Sequence, residues 1–165
     1  MPHRAAESAE ERQGRLAKGL RAVVDIGDEL ILAPSLDALY RRAVELAREK
    51  LGLERCALFV EEGPSVRGTY GTDAQGKTTD ERSFSFLKDE KWTRHFSPKP
   101  PTAQRWDLRE RALEYWDGEK VVRVGYGWVA VTPITGSSGR PVAVLCNDPG
   151  TTGAKADPDQ QDLVA

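Results

Sequence analysis

The 165-residue chain has little of what most chemistry requires. It holds two histidines, two cysteines and one methionine. His3 stands near the start and His95 stands alone in the middle. No pair among them has the i, i+3 or i+4 spacing of a metal-binding helix, and no CxxC occurs, so no metal site is expected. Cys56 and Cys146 lie far apart, each inside an apolar run. That is no disulfide framework; it fits two buried thiols in a reducing cytoplasm. Long hydrophobic runs are missing, and nothing approaches the roughly eighteen consecutive apolar residues of a membrane span. The N-terminus is charged and polar, unlike a signal peptide. An excess of one charge is missing as well: 24 Lys and Arg against 26 Asp and Glu leave a net charge of −2. The basic residues are dispersed and no helix-turn-helix pattern occurs, so nucleic acid is not an expected partner. There is no G-x-S-x-G, P-loop or paired-histidine motif, and no catalytic residue is assigned.

What the chain does have is enough apolar sequence, 39% of residues, for one well-cored domain. Met1–Ala6 reads as a frayed end. Ser8 followed by Glu10 and Glu11 starts a helix. Leu16, Leu20, Val23, Val24, Ile26, Leu30 and Leu32 give it an apolar stripe, and Pro34 ends it. That stripe suits a packed helix of the domain or a connector that pairs with a second copy. Ser35 caps a second helix whose apolar face runs from Leu36 to Leu51, closed by Gly52. Arg55–Glu62 reads as a strand, Ser65–Tyr70 as a more polar strand nearer an edge, Gly68–Arg82 as a loop and Ser83–Phe86 as a third strand. Asp89–His95 suits a helical turn or two. The prolines of 97–102 exclude a regular element. Gln104–Glu110 suits a short strand, and Ala112–Lys120 suits either a short helix or a loop. Two apolar runs, Trp128–Ile134 and Pro141–Cys146, flank the turn chemistry of Thr135–Gly139 and read as a hairpin covered on both faces. Asp157 and Pro158 start a last helix, read as cut short after about two turns.

The hairpin, WVAVTPITGSSGRPVAVLCND, resembles the signature hairpin of GAF domains: Thr132-Pro133-Ile134 matches its first strand and Pro141–Leu145 its second. Pro141 departs from the small residue usual there. The stretch VRGTYGTDAQGKTTDER is similar to a motif of bacterial GAF domains attached to sensor kinases. The resemblance implies an α+β fold: a GAF/PAS-like antiparallel sheet of five or six strands with helices packed around it. It divides the chain into a connector or dimerisation helix over residues 1–33 and a GAF-like domain over 34–165.

Function follows as an expectation from the same resemblance: a non-catalytic, cytoplasmic sensory or regulatory domain of a bacterial signalling protein. It would form a homodimer through its terminal helices, lie in cis to an output domain such as a histidine kinase, and bind a small molecule. Phe84, Phe86, Trp92, Phe96, Trp106, Tyr115, Trp116, Tyr126 and Trp128 cluster along the middle of the chain. They suit either a ligand pocket or a loop pinned down by aromatics. The expected pocket lining is Phe86, Trp92, His95, Trp106, Tyr115 and Trp128, with Arg82 and Arg105 as nearby guanidinium groups. His95 could ligate haem as in some GAF sensors, whereas neither cysteine has the context of a bilin attachment site; the sequence names no cofactor. Asp80-Glu81-Arg82 reads as a solvated or salt-bridged turn. The competing readings are a dimerisation module whose pocket is filled by Trp92, Trp106 and Trp116, and an enzyme with a thiol or carboxylate exposed in the cavity.

Overall fold

A computed structural model describes residues 7–165; the expected frayed end at Met1–Ala6, with His3, lies outside them. Helix α1 spans Ala9–Ile31. Ser8 Oγ accepts from Glu11 N at 3.1 Å and Glu11 Oε2 accepts from Ser8 N at 2.8 Å, so two helix-end donors are satisfied reciprocally. Helix α2 spans Leu36–Leu51, capped by Ser35 Oγ on Ala38 N at 3.1 Å. It stops at Gly52, whose φ of 70° lies in the left-handed region that favours glycine.

The chain then lays down β1 (Arg55–Glu62), β2 (Ser65–Gly68), β3 (Tyr70–Thr72), β4 (Thr78–Asp80), β5 (Ser85–Leu87), α3 (Glu90–His95), β6 (Asp107–Trp116), β7 (Val121–Thr135), β8 (Pro141–Asp148) and α4 (Pro158–Val164). Six strands form one antiparallel sheet in the order β5-β2-β1-β8-β7-β6. With four helices beside it, this is the expected α+β arrangement. The β7–β8 hairpin sits inside the sheet and is covered on both faces. Ala143 and Leu145 join Cys56, Leu58 and Val60 in a core against Val44 and Ala47 of α2. Val129, Val131 and Val144 face the other way, with Val66, Phe96 and Leu113. Burial on both faces explains why neither strand alternates cleanly in sequence.

Two segments differ from the sequence reading. The expected loop over Gly68–Arg82 contains a small hairpin, β3 paired with β4. Its strands are three residues long and carry no hydrophobic pattern; the turn is set by Asp73, whose Oδ1 accepts from Gln75 N at 2.9 Å and Lys77 N at 2.8 Å. The expected short strand over Gln104–Glu110 continues through residues 112–116 of the ambiguous stretch as one strand, β6, paired along its length with β7, and 117–120 form the turn between them. A register shift between Leu113 and Glu114 breaks the period-two pattern there, which disguises the strand.

On the helical side, α1 lies along α2 and α4. Gly19 lets it approach closely, because a Cβ there would collide with Leu163 of α4. Arg12 and Arg15 reach Asp159 at 2.7 and 3.0 Å, and Glu29 receives Arg42 at 2.8 Å and Lys50 at 2.9 Å. No described helix is long and apolar enough to cross a membrane.

Candidate functional site

On the sheet face away from α2 lies a cavity of about 250 Å³. Its floor is sheet: Ala57 and Phe59 of β1, Val129 of β7 and Cys146 of β8. Its walls are Phe84, Phe86 and Trp92 from the segment leading through β5 into α3, and Tyr115 and Trp116 from the end of β6. The rings brace one another. Phe86 and Trp92 lie 4.9 Å apart between centroids, Phe59 and Trp92 5.5 Å, Phe84 and Phe86 5.5 Å, and Phe84 and Trp116 5.3 Å. Edge-on and tilted packing of this kind holds rings in place without collapsing them onto each other.

Three buried charged groups are built into the lining, Glu81, Arg55 and Asp148. Glu81 is only 2% exposed. Its Oε1 accepts from Thr79 Oγ1 at 3.1 Å and from Trp116 N at 3.3 Å. Burial pushes its carboxyl up, opposed by those two hydrogen bonds and by the charge of Arg55. Arg55, 5% exposed, donates from Nη2 to the Glu114 carbonyl at 2.8 Å and lies with its guanidinium 5.8 Å from the Tyr115 ring. Its Nε sits 3.4 Å from Asp148 Oδ1, a charge contact rather than an aligned hydrogen bond, and burial raises the Asp148 carboxyl against that pull. Cys56 and Cys146 also line the cavity, and burial pushes both thiols up to about 12. At that level each stays protonated and is a poor nucleophile.

The local chain explains the placement of Glu81. Its N–H donates to the Thr69 carbonyl at 3.0 Å, and its carbonyl accepts from Phe84 N at 2.9 Å. Gly68 and Gly71 lie directly beneath it. A Cβ on Gly68 would come within 2.6 Å of the Glu81 carbonyl oxygen, and one on Gly71 would land on the carboxylate. The reading of Asp80-Glu81-Arg82 as a solvated turn therefore holds for the outer two residues only. Arg82 pairs with Asp80 at 2.6 Å and Asp37 at 3.1 Å, outside the cavity.

Of the expected lining residues, Phe86, Trp92 and Tyr115 border the cavity. The other three lie elsewhere. His95 is buried edge-on against Trp92 at 5.8 Å and faces a separate groove with Lys91, Arg109 and Glu110; burial lowers its pKa. Trp106 donates from Nε1 to Asp162 Oδ1 of α4 at 2.8 Å, and Trp128 donates to the Ala154 carbonyl at 2.8 Å. Arg105 borders another groove, beside Pro100 and Pro101. The sequence reading passed over Phe59, Arg55 and Asp148, and placed Glu81 in a turn rather than in the cavity. The closely spaced glycines Gly68 and Gly71 were the one local sign that something bulky must lie against that strand. No group of three or more His, Cys, Asp or Glu able to hold a metal ion occurs among the described residues.

No family model and no curated protein matches the sequence. Solved structures do match in fold. The GAF domain of a putative sensor histidine kinase from Pseudomonas syringae pv. tomato aligns over 95% of this chain and 84% of its own, with 18% identity and a TM-score of 0.57. The GAF domain of a phosphoenolpyruvate-protein phosphotransferase from Coxiella burnetii aligns over 90% and 87%, with 12% identity and a TM-score of 0.61. The phycoerythrobilin-bound GAF domain of a cyanobacterial phytochrome aligns over 92% and 90%, with 8% identity and a TM-score of 0.56. The resemblance first seen in one hairpin thus extends through the sheet and its flanking helices, and the chain has the GAF fold.

Proposed function

We infer that this chain is a non-catalytic sensory or regulatory domain of a bacterial signalling protein, which binds a small molecule in the cavity walled by Phe84, Phe86, Trp92 and Trp116. One observation carries the reading: six aromatic rings surround the cavity and still leave about 250 Å³ open. A structural module with a self-filled pocket has no use for that space, since a void lined by packed rings forfeits their contacts. The volume suits a compact ligand, near the lower end for small-molecule sites. The domain acts in the cytoplasm, in cis to an output domain such as a histidine kinase, and pairs with a second copy through its terminal helices. The fold neighbours named for a sensor kinase and a phosphotransferase support such a setting, although fold alone does not carry function. A non-catalytic role is favoured by the lining, whose two thiols are held protonated.

Signal passes by population shift: a ligand favours one packing of the wall segment only to the extent that it binds that packing better. Strand β6 offers the path, because its far end walls the cavity through Tyr115 and Trp116 while Trp106, just before it, holds α4. Native mass spectrometry of the purified full chain tests the reading. A small-molecule adduct is expected on the wild type and is expected to vanish in Ala112→Trp, which fills the cavity from β6. An adduct of equal occupancy in both proteins would place the ligand elsewhere and sink the proposal.

A further inference from the structure

Glu81 is unlike the other acids around the cavity. Asp148 has Arg55 beside it and Glu114 is exposed, whereas Glu81 is buried and forms no ion pair with any described residue. Its Oε1 is held by two donors, and its Oε2 receives no hydrogen bond from a described residue. Oε2 is not fully enclosed: it keeps accessible surface and is free to accept from a ligand in the cavity that Glu81 lines. Two glycines keep the space that this carboxylate occupies, and the surrounding surfaces are flat rings.

Resting on the reading of the cavity as a ligand site, we propose that Glu81 selects its ligand: a flat aromatic molecule bearing N–H donors, such as an aromatic amine, amidine or aminated heterocycle. The rings of Phe84, Phe86, Trp92 and Trp116 take the flat body, and the Glu81 carboxylate accepts from the N–H groups. A carboxylate with aromatic faces beside it also favours a cationic head, since the ring faces are electron-rich. The guanidinium groups in the lining do not reverse this preference. The Arg55 charge is balanced by Asp148 and its Nη2 donates to the Glu114 carbonyl, although its buried Nη1 has no partner among the described residues, and Arg111 is an exposed residue of the lining rather than a buried one. Arg55 Nη1 and Arg111 define the competing chemistry, an aromatic anion.

Calorimetric titration of the full chain with three probes of one size separates these cases: benzamidine as the N–H donor, acetophenone as the neutral body and benzoate as the anion. Benzamidine is expected to bind about tenfold or more tighter than either of the others, the value of a charge-assisted hydrogen bond. Glu81→Gln is expected to erase that preference, bringing benzamidine to the level of acetophenone on the same variant, and Ala112→Trp to abolish binding of all three. Equal or tighter binding of benzoate or acetophenone to the wild type overturns the role of Glu81 while the cavity reading stands. So does a benzamidine preference that survives Glu81→Gln, whereas one that survives Ala112→Trp places the ligand outside the cavity and overturns both readings. Failure of all three probes to bind overturns the cavity reading and this inference with it. The ranking on the wild type needs no variant, so a misfolded Glu81→Gln leaves the test intact.

Discussion

At the scale of single residues, the triplet 80–82 separates what local sequence reveals from what it hides. Asp80 and Arg82 satisfy each other, as adjacent opposite charges in a turn suggest, and Arg82 lies 5.4 Å over the Tyr70 ring. Glu81 goes the other way because glycines from an earlier strand vacate the volume it fills. Burial of an acid is decided by what is missing across the chain, and no window around position 81 contains that information. Gly71→Ala tests the account directly. The added Cβ overlaps the Glu81 carboxylate, so urea unfolding is expected to show a loss of about 1–3 kcal/mol, the range for overpacking a filled site. Gly14→Ala, where a Cβ meets nothing within 4 Å, is the control and is expected to stabilise α1 by about 1 kcal/mol. Equal effects at the two glycines would refute the packing argument.

Among elements, those with caps and turns of their own were legible. Ser35 and Gly52 bound α2, Asp157 and Pro158 open α4, and the Gly/Ser turn joins β7 to β8. β6 was legible only in its first half, because its register shift moves later residues off the alternating pattern and only the partner strand defines them. The short β3–β4 pair likewise depends on side-chain hydrogen bonds rather than on hydrophobic periodicity. Helix α1 presents a different case, since its apolar stripe was plain but its partner was not. Leu20, Val24 and Ile31 are 61%, 62% and 82% exposed, and with Gly27 they follow the 4-3-4 spacing of a two-helix seam. The pairing proposed above would use this seam. Sedimentation is expected to give a dimer for the wild type and a monomer for Leu20→Glu combined with Val24→Glu, with circular dichroism unchanged. A wild-type monomer, or a dimer that survives both charges, would move the interface elsewhere or remove it.

For the whole molecule, the union of its first and last helices is electrostatic. Arg12 and Arg15 hydrogen-bond Asp159 and hold its carboxyl down at about 2, below its ordinary value of 3.8. A carboxyl lowered by folding contributes stability that is complete above its unfolded pKa and is lost as pH falls through the folded one. The α1–α4 junction is therefore expected to weaken between about pH 4 and about pH 2 and to be insensitive to pH above that window. A side-chain NMR titration should place the Asp159 midpoint near 2 in the wild type and closer to 3.8 in Arg12→Ala combined with Arg15→Ala. An unchanged midpoint in the double variant would mean that the arginines are bystanders. None of this was readable from sequence, because the partners sit at opposite ends of the chain and meet only through the close approach at Gly19.

The four tryptophans of the chain divide by place. Trp92 and Trp116 border the cavity, while Trp106 and Trp128 are hydrogen-bonded to α4 and to the segment just before it. Their ultraviolet emission is consequently a built-in optical readout with two sources. An occupant among the rings would quench one pair by direct contact, and a displacement of α4 would shift the colour of the other by changing its exposure to water. Occupancy and its transmission could thus be followed separately in unlabelled protein, with single Trp→Phe changes assigning each signal to its source.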